Sequence, residues 1–223
     1  MPPTLSSKAE LRKRALVMRE QERQGAFSAG RPWGQSHLKQ LDSFLQEQFR
    51  SADPSEADRF SQKCSWAGYY AIGSELNLIE AAQQRSWWMP HALPDGTLNW
   101  YPWNADIHHW PRDQRNLPVP PSSCQPRTYS PASDGPWIVL APCLAADSQG
   151  FRLGYGGGYY DRFLSQFGEN VLAVTCVPEV CFWKNQTLPH EAHDQPVDIV
   201  VTEHDVHVVD THRLKRKLSL FNC

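Results

Sequence analysis

"PWIVLAP" (136–142), "RLGYGGGYYDRF" (152–163) and "NVLAVTCV" (170–177) stand in close succession along the chain. The first and third are short, continuously apolar runs rich in β-branched residues, the pattern of strands buried on both faces. Between them a run of glycines opens into "YYDRFLSQF", whose aromatic and leucine positions recur at helical spacing. Strand, loop, helix, strand is the βαβ order, which predicts a mainly parallel sheet covered by helices. "VDIVVTE" (197–203) repeats the buried-strand pattern, and "VHVVD" (206–210) adds an edge strand.

Outward from this centre, "SSKAELRKRALVMREQERQ" (6–24) is a predicted helix. Ser7 and Glu10 form a capping box, and Leu11, Ala15 and Met18 recur on one face. "GAFSAGRPWG" (25–34) is predicted as a loop, because Gly25, Gly30, Pro32 and Gly34 break helices. "SHLKQLDSFLQEQF" (36–49) resumes a helix with Leu38, Leu41, Phe44, Leu45 and Phe49 on one side. "CSWAGYYAI" (64–72) is β-like, and "SELNLIEAAQQ" (74–84) is predicted as a short helix capped by Ser74. "SWWMP" (86–90) and "LNWYPW" (98–103) are strands around the turn "LPDGT". Seven prolines between Pro111 and Pro136 predict a long surface loop. The whole, 1–223, is predicted to be a single α/β domain whose mainly parallel sheet is sandwiched between helices.

Composition narrows the function. The chain has 223 residues, 40% hydrophobic and 21% charged, with a net charge of −2, which suits a globular protein and argues against a general nucleic-acid binder. The longest apolar run, from Trp137, is too short to span a bilayer, and the N-terminus has no apolar signal region, so the expected location is cytoplasmic. Six cysteines are scattered without a C-x-x-C pair, consistent with reduced thiols and with no catalytic role. "HEAH" (190–193) is too short for the H-E-x-x-H zinc helix, and His108 and His109 are adjacent. The basic run at 211–223, "THRLKRKLSLFNC", reads as a solvated helix end.

Glycines at a helix N-terminus leave consecutive N–H groups uncovered, which is how such loops cradle phosphate oxygens; a tight turn is the plain alternative. The loop is neither a Walker A sequence nor a G-x-G-x-x-G fingerprint. Asp161 in the first helical turn is stabilised by the helix dipole, yet beside phosphates it calls for a cation such as Mg²⁺. Asp198, at the start of a buried strand, needs either a metal or a salt bridge.

"RLGYGGGYYDRF", "LPHEAHDQPVDIVVTE" (188–203) and "KAELR" (8–12) together resemble the 5-formyltetrahydrofolate cyclo-ligase family, over roughly Lys8 to Glu203. The resemblance implies a three-layer, CoA-transferase-like α/β/α fold. It also implies an activity, the Mg²⁺-dependent conversion of 5-formyltetrahydrofolate and ATP into 5,10-methenyltetrahydrofolate, ADP and phosphate. The small-molecule substrates leave no role for nucleic acid or membrane, and a monomer is expected. By the same resemblance, Lys8, Arg12, Arg152, Leu153, Gly154, Tyr155, Gly156, Gly157, Gly158, Tyr159 and Tyr160 bind the nucleotide. Tyr70 and Glu75 contact the folate, Asp161 and Asp198 hold the metal, and Arg152, Tyr160 and Asp161 are catalytic. Some relatives carry a lysine where Gly157 stands, which shifts charge neutralisation here onto Lys8, Arg12, Arg152, Arg162 and the metal. The segment "NWYPWN" (99–104) departs from relatives and bears on pterin recognition. Two alternatives are an ATP-dependent ligase for a different formyl or carboxyl compound, and a non-catalytic folate or nucleotide binder.

Overall fold

The structure is a computed structural model that describes residues 7–28, 34–50, 64–78, 87–103, 107 and 109–222. Helix α1 spans Lys8–Ser28 and starts at the expected capping box. The Ser7 N–H donates to Glu10 Oε2 at 2.8 Å while the Glu10 N–H donates to Ser7 Oγ at 3.3 Å. α1 continues through Gly25, where a loop was expected, because Ala26 is buried and the added turn gains packing. The remainder of that expected loop, 29–33, lies outside the described residues. α2 spans Gln35–Arg50 as its apolar face predicts.

Strands β1 (Ser65–Ala67), β2 (Trp87–Ala92), β3 (Leu98–Pro102), β4 (Trp137–Leu140), β7 (Val171–Cys176), β9 (Ile199–Val201) and β10 (Val206–Val208) form one sheet in the order β10-β9-β7-β4-β1-β2-β3. β1, β2, β4, β7 and β9 run parallel to their neighbours in this set, while β3 and β10 close the two edges antiparallel. β5 (Ala145–Asp147), β6 (Arg152–Leu153) and β8 (Phe182–Trp183) make a separate small sheet. The glycine loop therefore leaves this small sheet, not β4 directly, before α3 (Tyr159–Phe167) begins. The chain ends in α4 (Thr211–Leu218), followed by a 3₁₀ turn, Ser219–Asn222.

Strand alternation distributes the core to both faces of the sheet. Trp137 and Val139 of β4 and Ala173 of β7 pack with Leu11 and Ala15 of α1 and Phe163 and Leu164 of α3. Ile138, Leu140, Leu172 and Val174 pack with Leu38, Leu41 and Leu45 of α2 and Leu214 and Leu218 of α4. This is a three-layer α/β/α arrangement, as expected. The helix expected from Ser74 is absent over Ser74–Leu78, where Glu75 sits in a bend; positions 79–84 of that prediction lie outside the described residues. The Pro-rich stretch is a loop as read, carrying a single helical turn at Pro131–Asp134.

The basic tail differs from its reading as a solvated end. Lys217 is 4% exposed and places Nζ 2.8 and 2.6 Å from the two oxygens of Asp198. Arg213 Nε lies 2.7 Å from Asp198 Oδ1, and the Ala173 N–H donates to Oδ2 at 2.8 Å. A sequence pattern of alternating charges and leucines looks the same for an exposed helix and for one docked by its leucines, so only the fold reveals the pair. Asp198→Asn leaves the Lys217 ammonium buried without its countercharge and lowers stability by about 3–5 kcal/mol. Glu169→Gln, which breaks the exposed pair with Arg216 on the same helix, costs at most about 1 kcal/mol. Urea unfolding of the two variants measures the contrast.

Candidate active site

In sequence the chain runs from β1 outward to β2 and β3, then crosses to β4 on the other side of β1. The direction of the sheet reverses there, and the crevice beyond the carboxyl ends of β1 and β4 is where open α/β sheets bind ligands. The segment after β1, from Gly68 to Glu75, and the segment after β4, from Ala141 to Leu144, form its two sides. The glycine loop is drawn to the same place: Tyr160 Oη donates to the Gly68 carbonyl at 2.9 Å and Tyr155 Oη to the Ile72 carbonyl at 3.4 Å.

The loop has the conformation its glycines imply. Gly156 and Gly158 have φ of 98° and 64°, a region in which a side chain is strained, and Gly158 is the left-handed N-cap of α3. Among the described residues nothing accepts from the N–H groups of Gly156, Gly157 and Gly158. At Gly157 a Cβ would come within 2.9 Å of the Tyr159 ring, so a lysine there requires that ring to move.

Basic side chains close around the loop. Lys8 and Arg12 share one face of α1, as their spacing predicts. Arg12 Nε donates to the Gly154 carbonyl at 2.8 Å. Lys8 Nζ lies 2.8 Å from Asp194 Oδ2 and 3.2 Å from Glu191 Oε1. Burial lowers the Lys8 pKa, but these two carboxylates outweigh it, and the net shift is upward. Arg152 Nη2 donates to Asp161 Oδ1 at 2.7 Å and to the Gln195 carbonyl at 3.2 Å. Its Nη1 is buried and meets no acceptor among the described residues, an orphaned cationic donor beside the glycine loop. Arg162, expected to meet phosphate, is instead committed to the Gly96 and Gly157 carbonyls at 2.8 Å each and ties the β2–β3 turn to the loop.

The expected metal pair is not assembled. Asp161 is partly exposed and held by Arg152 and by the Gln195 N–H at 3.2 Å, whereas Asp198 is 1% exposed and paired with Lys217 and Arg213. Its buried charge is answered by the salt bridge, the other explanation its position left open. Asp194 precedes Gln195, whose N–H holds Asp161, and offers a second carboxylate, 21% exposed in its side chain and 2.8 Å from Lys8. Burial raises the Asp194 pKa, but hydrogen bonds from Lys8 and the Glu191 N–H outweigh it and hold the carboxyl ionised below its usual range. The sequence pattern "HDQPVD" offers two aspartates, and burial is what separates them. No trio of metal-ligating side chains occurs among the described residues. Two carboxylates suffice for Mg²⁺ when phosphate oxygens and water complete its shell, so the donor set fits that ion.

Other expected residues fall into place with changed duties. Leu153 is core, 2% exposed. Tyr159 lies beneath the Arg162 guanidinium, 5.0 Å from ring centre to Cζ. Burial pushes the Tyr160 phenol well above its ordinary pKa, so it tethers α3 to the end of β1 and does not exchange protons. Tyr70 packs 6.4 Å from Trp103 and carries Arg112 over its face at 4.9 Å. The Trp-rich segment is divided: Trp100 packs in the main core against Trp137 and Phe163, whereas Tyr101 and Trp103 belong with Met89, Ile107 and Trp110 in a small core beside Tyr70. Glu75 is 4% exposed, and Oε2 accepts from the Ile72 N–H at 2.8 Å. Burial raises its pKa to about 7, against the opposing pull of that hydrogen bond and of Arg19.

A residue missed by sequence reading is Arg19. It is 0% exposed. Its coincidence with the Leu11–Ala15–Met18 stripe was the available signal, since the position following Met18 lies at the edge of that face.

A family profile described as the 5-formyltetrahydrofolate cyclo-ligase family matches residues 74–203, more than half of the chain, and the chain belongs to that family. Among solved structures it is similar to 5,10-methenyltetrahydrofolate synthetase from Aquifex aeolicus, with a TM-score of 0.57 and 24% identity over 91% of this chain and 92% of that one. It is also similar to a 5,10-methenyltetrahydrofolate synthetase from Mycoplasma pneumoniae, with a TM-score of 0.58 and 17% identity over 89% and 99%. At these identities the two structures establish a shared fold. No curated protein matches the chain.

The raised Glu75 pKa has a sign that can be checked. The unfolded carboxyl ionises near 4.5 and the folded one near 7, so the stability it contributes is complete below pH 4.5 and is lost as pH rises through 7. Glu75→Gln removes the cost of the buried charge. It should stabilise the ligand-free protein at pH 8 by on the order of 3 kcal/mol, and the gain should vanish near pH 4 in urea melts.

Proposed function

We propose that this chain catalyses the ATP- and Mg²⁺-dependent cyclisation of 5-formyltetrahydrofolate to 5,10-methenyltetrahydrofolate, acting as a single domain. Family membership supports the reaction class. The observation that carries the nucleotide reading is the orphaned Arg152 Nη1 beside three glycine N–H groups that meet no acceptor. The Arg152 donor is buried and cationic while the glycine N–H groups lie at exposed or half-exposed loop positions, and the polyphosphate tail of ATP is an anion that can meet both.

The formamide carbon of the substrate is a poor electrophile because its nitrogen is conjugated with the carbonyl. Transfer of the ATP γ-phosphoryl group to the formyl oxygen creates an imino-phosphate and releases ADP. N10 then attacks the carbon, the five-membered ring closes, and the C–O bond breaks to release phosphate. N10 loses its proton, and the product carries the delocalised positive charge of the methenyl bridge. The protein needs no covalent nucleophile for this; positioning and charge stabilisation carry phosphoryl transfer. The N–H groups of Gly156–Gly158 cradle the phosphates, and Lys8, Arg12 and Arg152 neutralise them. Mg²⁺ would be held by Asp161 and Asp194 and would supply further neutralisation of the phosphate oxygens. Glu75 and Tyr70, on the β1 side of the crevice, meet the pterin. A buried carboxyl with a pKa near 7 can present either a donor or an acceptor to the ring's amide and amine groups.

Two experiments test the reading. Purified protein mixed with 5-formyltetrahydrofolate and MgATP should develop the near-ultraviolet absorbance of the methenyl product and release ADP; an unchanged spectrum with ADP released would indicate a different acceptor. Asp161→Asn and Asp194→Asn should each raise the Mg²⁺ concentration needed for half-maximal turnover by about tenfold or more. Folded Asp198→Asn protein should keep the wild-type Mg²⁺ dependence.

A further inference from the structure

The position of Arg19 has a consequence for how Glu75 works. Arg19 lies on the inner face of α1, wholly buried beneath the crevice. Its Nε and Nη2 donate to the Ser74 carbonyl at 3.2 and 3.1 Å, and its Nη1 donates to the Cys143 and Leu144 carbonyls at 3.1 and 3.3 Å. One rigid guanidinium therefore joins the segment after β1, at the residue preceding Glu75, to the segment after β4. A buried cation is costly, and an apolar side chain at this site would cover the same sheet surface at lower cost. Simple packing does not call for an arginine.

We propose that Arg19 is a positioning residue of the cyclo-ligase: it fixes the bend that presents Glu75 to the folate and sets the charge state of that carboxyl without touching substrate. This rests on the proposed function above for its folate. Among the described residues, Arg19 is the cation that acts on Glu75. Tyr69 follows β1, Tyr155 and Tyr160 come from the glycine loop and α3, and Cys143 follows β4; burial raises the pKa of each, so all four are neutral near pH 7. The positive charge of Arg19 favours the ionised carboxylate, against burial. Held by four carbonyl hydrogen bonds, that charge cannot swing away to solvent. α1 also carries Lys8 and Arg12 on its outer reach, so the helix that grips the nucleotide loop is the one that braces the folate carboxyl.

The test is the titration of the Glu75 carboxyl, read by carbon-13 NMR without substrate or nucleotide and assigned by its loss in Glu75→Gln. In Arg19→Met the titration midpoint should move up by about one unit or more, because the favourable charge is gone. In Arg19→Lys, which keeps the charge but not the planar fork, it should move less. Turnover supplies the second readout. Arg19→Met should lower kcat/KM for 5-formyltetrahydrofolate by about tenfold or more and shift its pH profile in step with the midpoint. In a Glu75→Gln background the same substitution should cost little and shift nothing. A folded Arg19→Met or Arg19→Lys protein with a wild-type Glu75 midpoint would overturn the proposal, as would equal losses in both backgrounds. If Arg19→Met does not fold, the Arg19→Lys protein carries both readouts. The titration needs no catalysis, so it stands or fails independently of the cyclo-ligase reading.

Discussion

Arg19 reaches under the carboxyl ends of β1 and β4 and binds the Ser74, Cys143 and Leu144 carbonyls at once. Those carbonyls belong to chain leaving a parallel sheet, where the strands stop supplying hydrogen-bond partners and the backbone must find others. A guanidinium satisfies three of them from one point and fixes the spacing of the crevice walls. Tyr160 and Tyr155 then draw the glycine loop over the β1 side through the Gly68 and Ile72 carbonyls. The crevice is thus built from backbone carbonyls held by side chains of α1, the loop and α3.

Electrostatics at the two ends of the sheet follow opposite logics. At the site, the pairing of Lys8 with Asp194 and Glu191 is only partly buried, and Arg152, though its own side chain is buried, faces a partly exposed Asp161. Such pairs contribute little to stability, so their partners can be exchanged for phosphate or a divalent ion at small cost. On the other side, Asp198, Lys217 and Arg213 are packed into the interface of α4 with the sheet, where loss of any one charge strands the others. The first arrangement suits binding and the second suits holding the C-terminus in place. Glu75 stands apart from both, a carboxyl buried enough to resist ionisation.

The order of strands and helices was legible because each element carries its own period. The continuous runs in β4, β7 and β9 have no polar face, and a strand with no polar face is covered on both sides; the capping box and apolar stripe of α1 are equally local. The helix expected from Ser74 failed for the converse reason. "SELN" has helical propensity and a cap, but the Glu75 carboxylate bonds the Ile72 N–H within a bend, and Arg19 takes the Ser74 carbonyl that a helix would have used itself. Tertiary partners outweighed a propensity worth only tenths of a kcal/mol per residue.

The sequence by itself determined the class of fold, the family and the left-handed conformation of the glycine loop, since strand hydrophobicity, glycine conformation and helix capping act over a few neighbouring residues. Only the tertiary structure decided which charges meet. Asp194 and Asp198 are close in sequence and chemically identical, yet one opens to the crevice beside Lys8 and the other is sealed against α4. Arg12 and Arg19 lie two turns apart on one helix, yet one holds the glycine loop at Gly154 and the other the segments after β1 and β4. The pairing of a charge depends on burial and on partners distant in sequence, and neither is written in the local pattern around the residue.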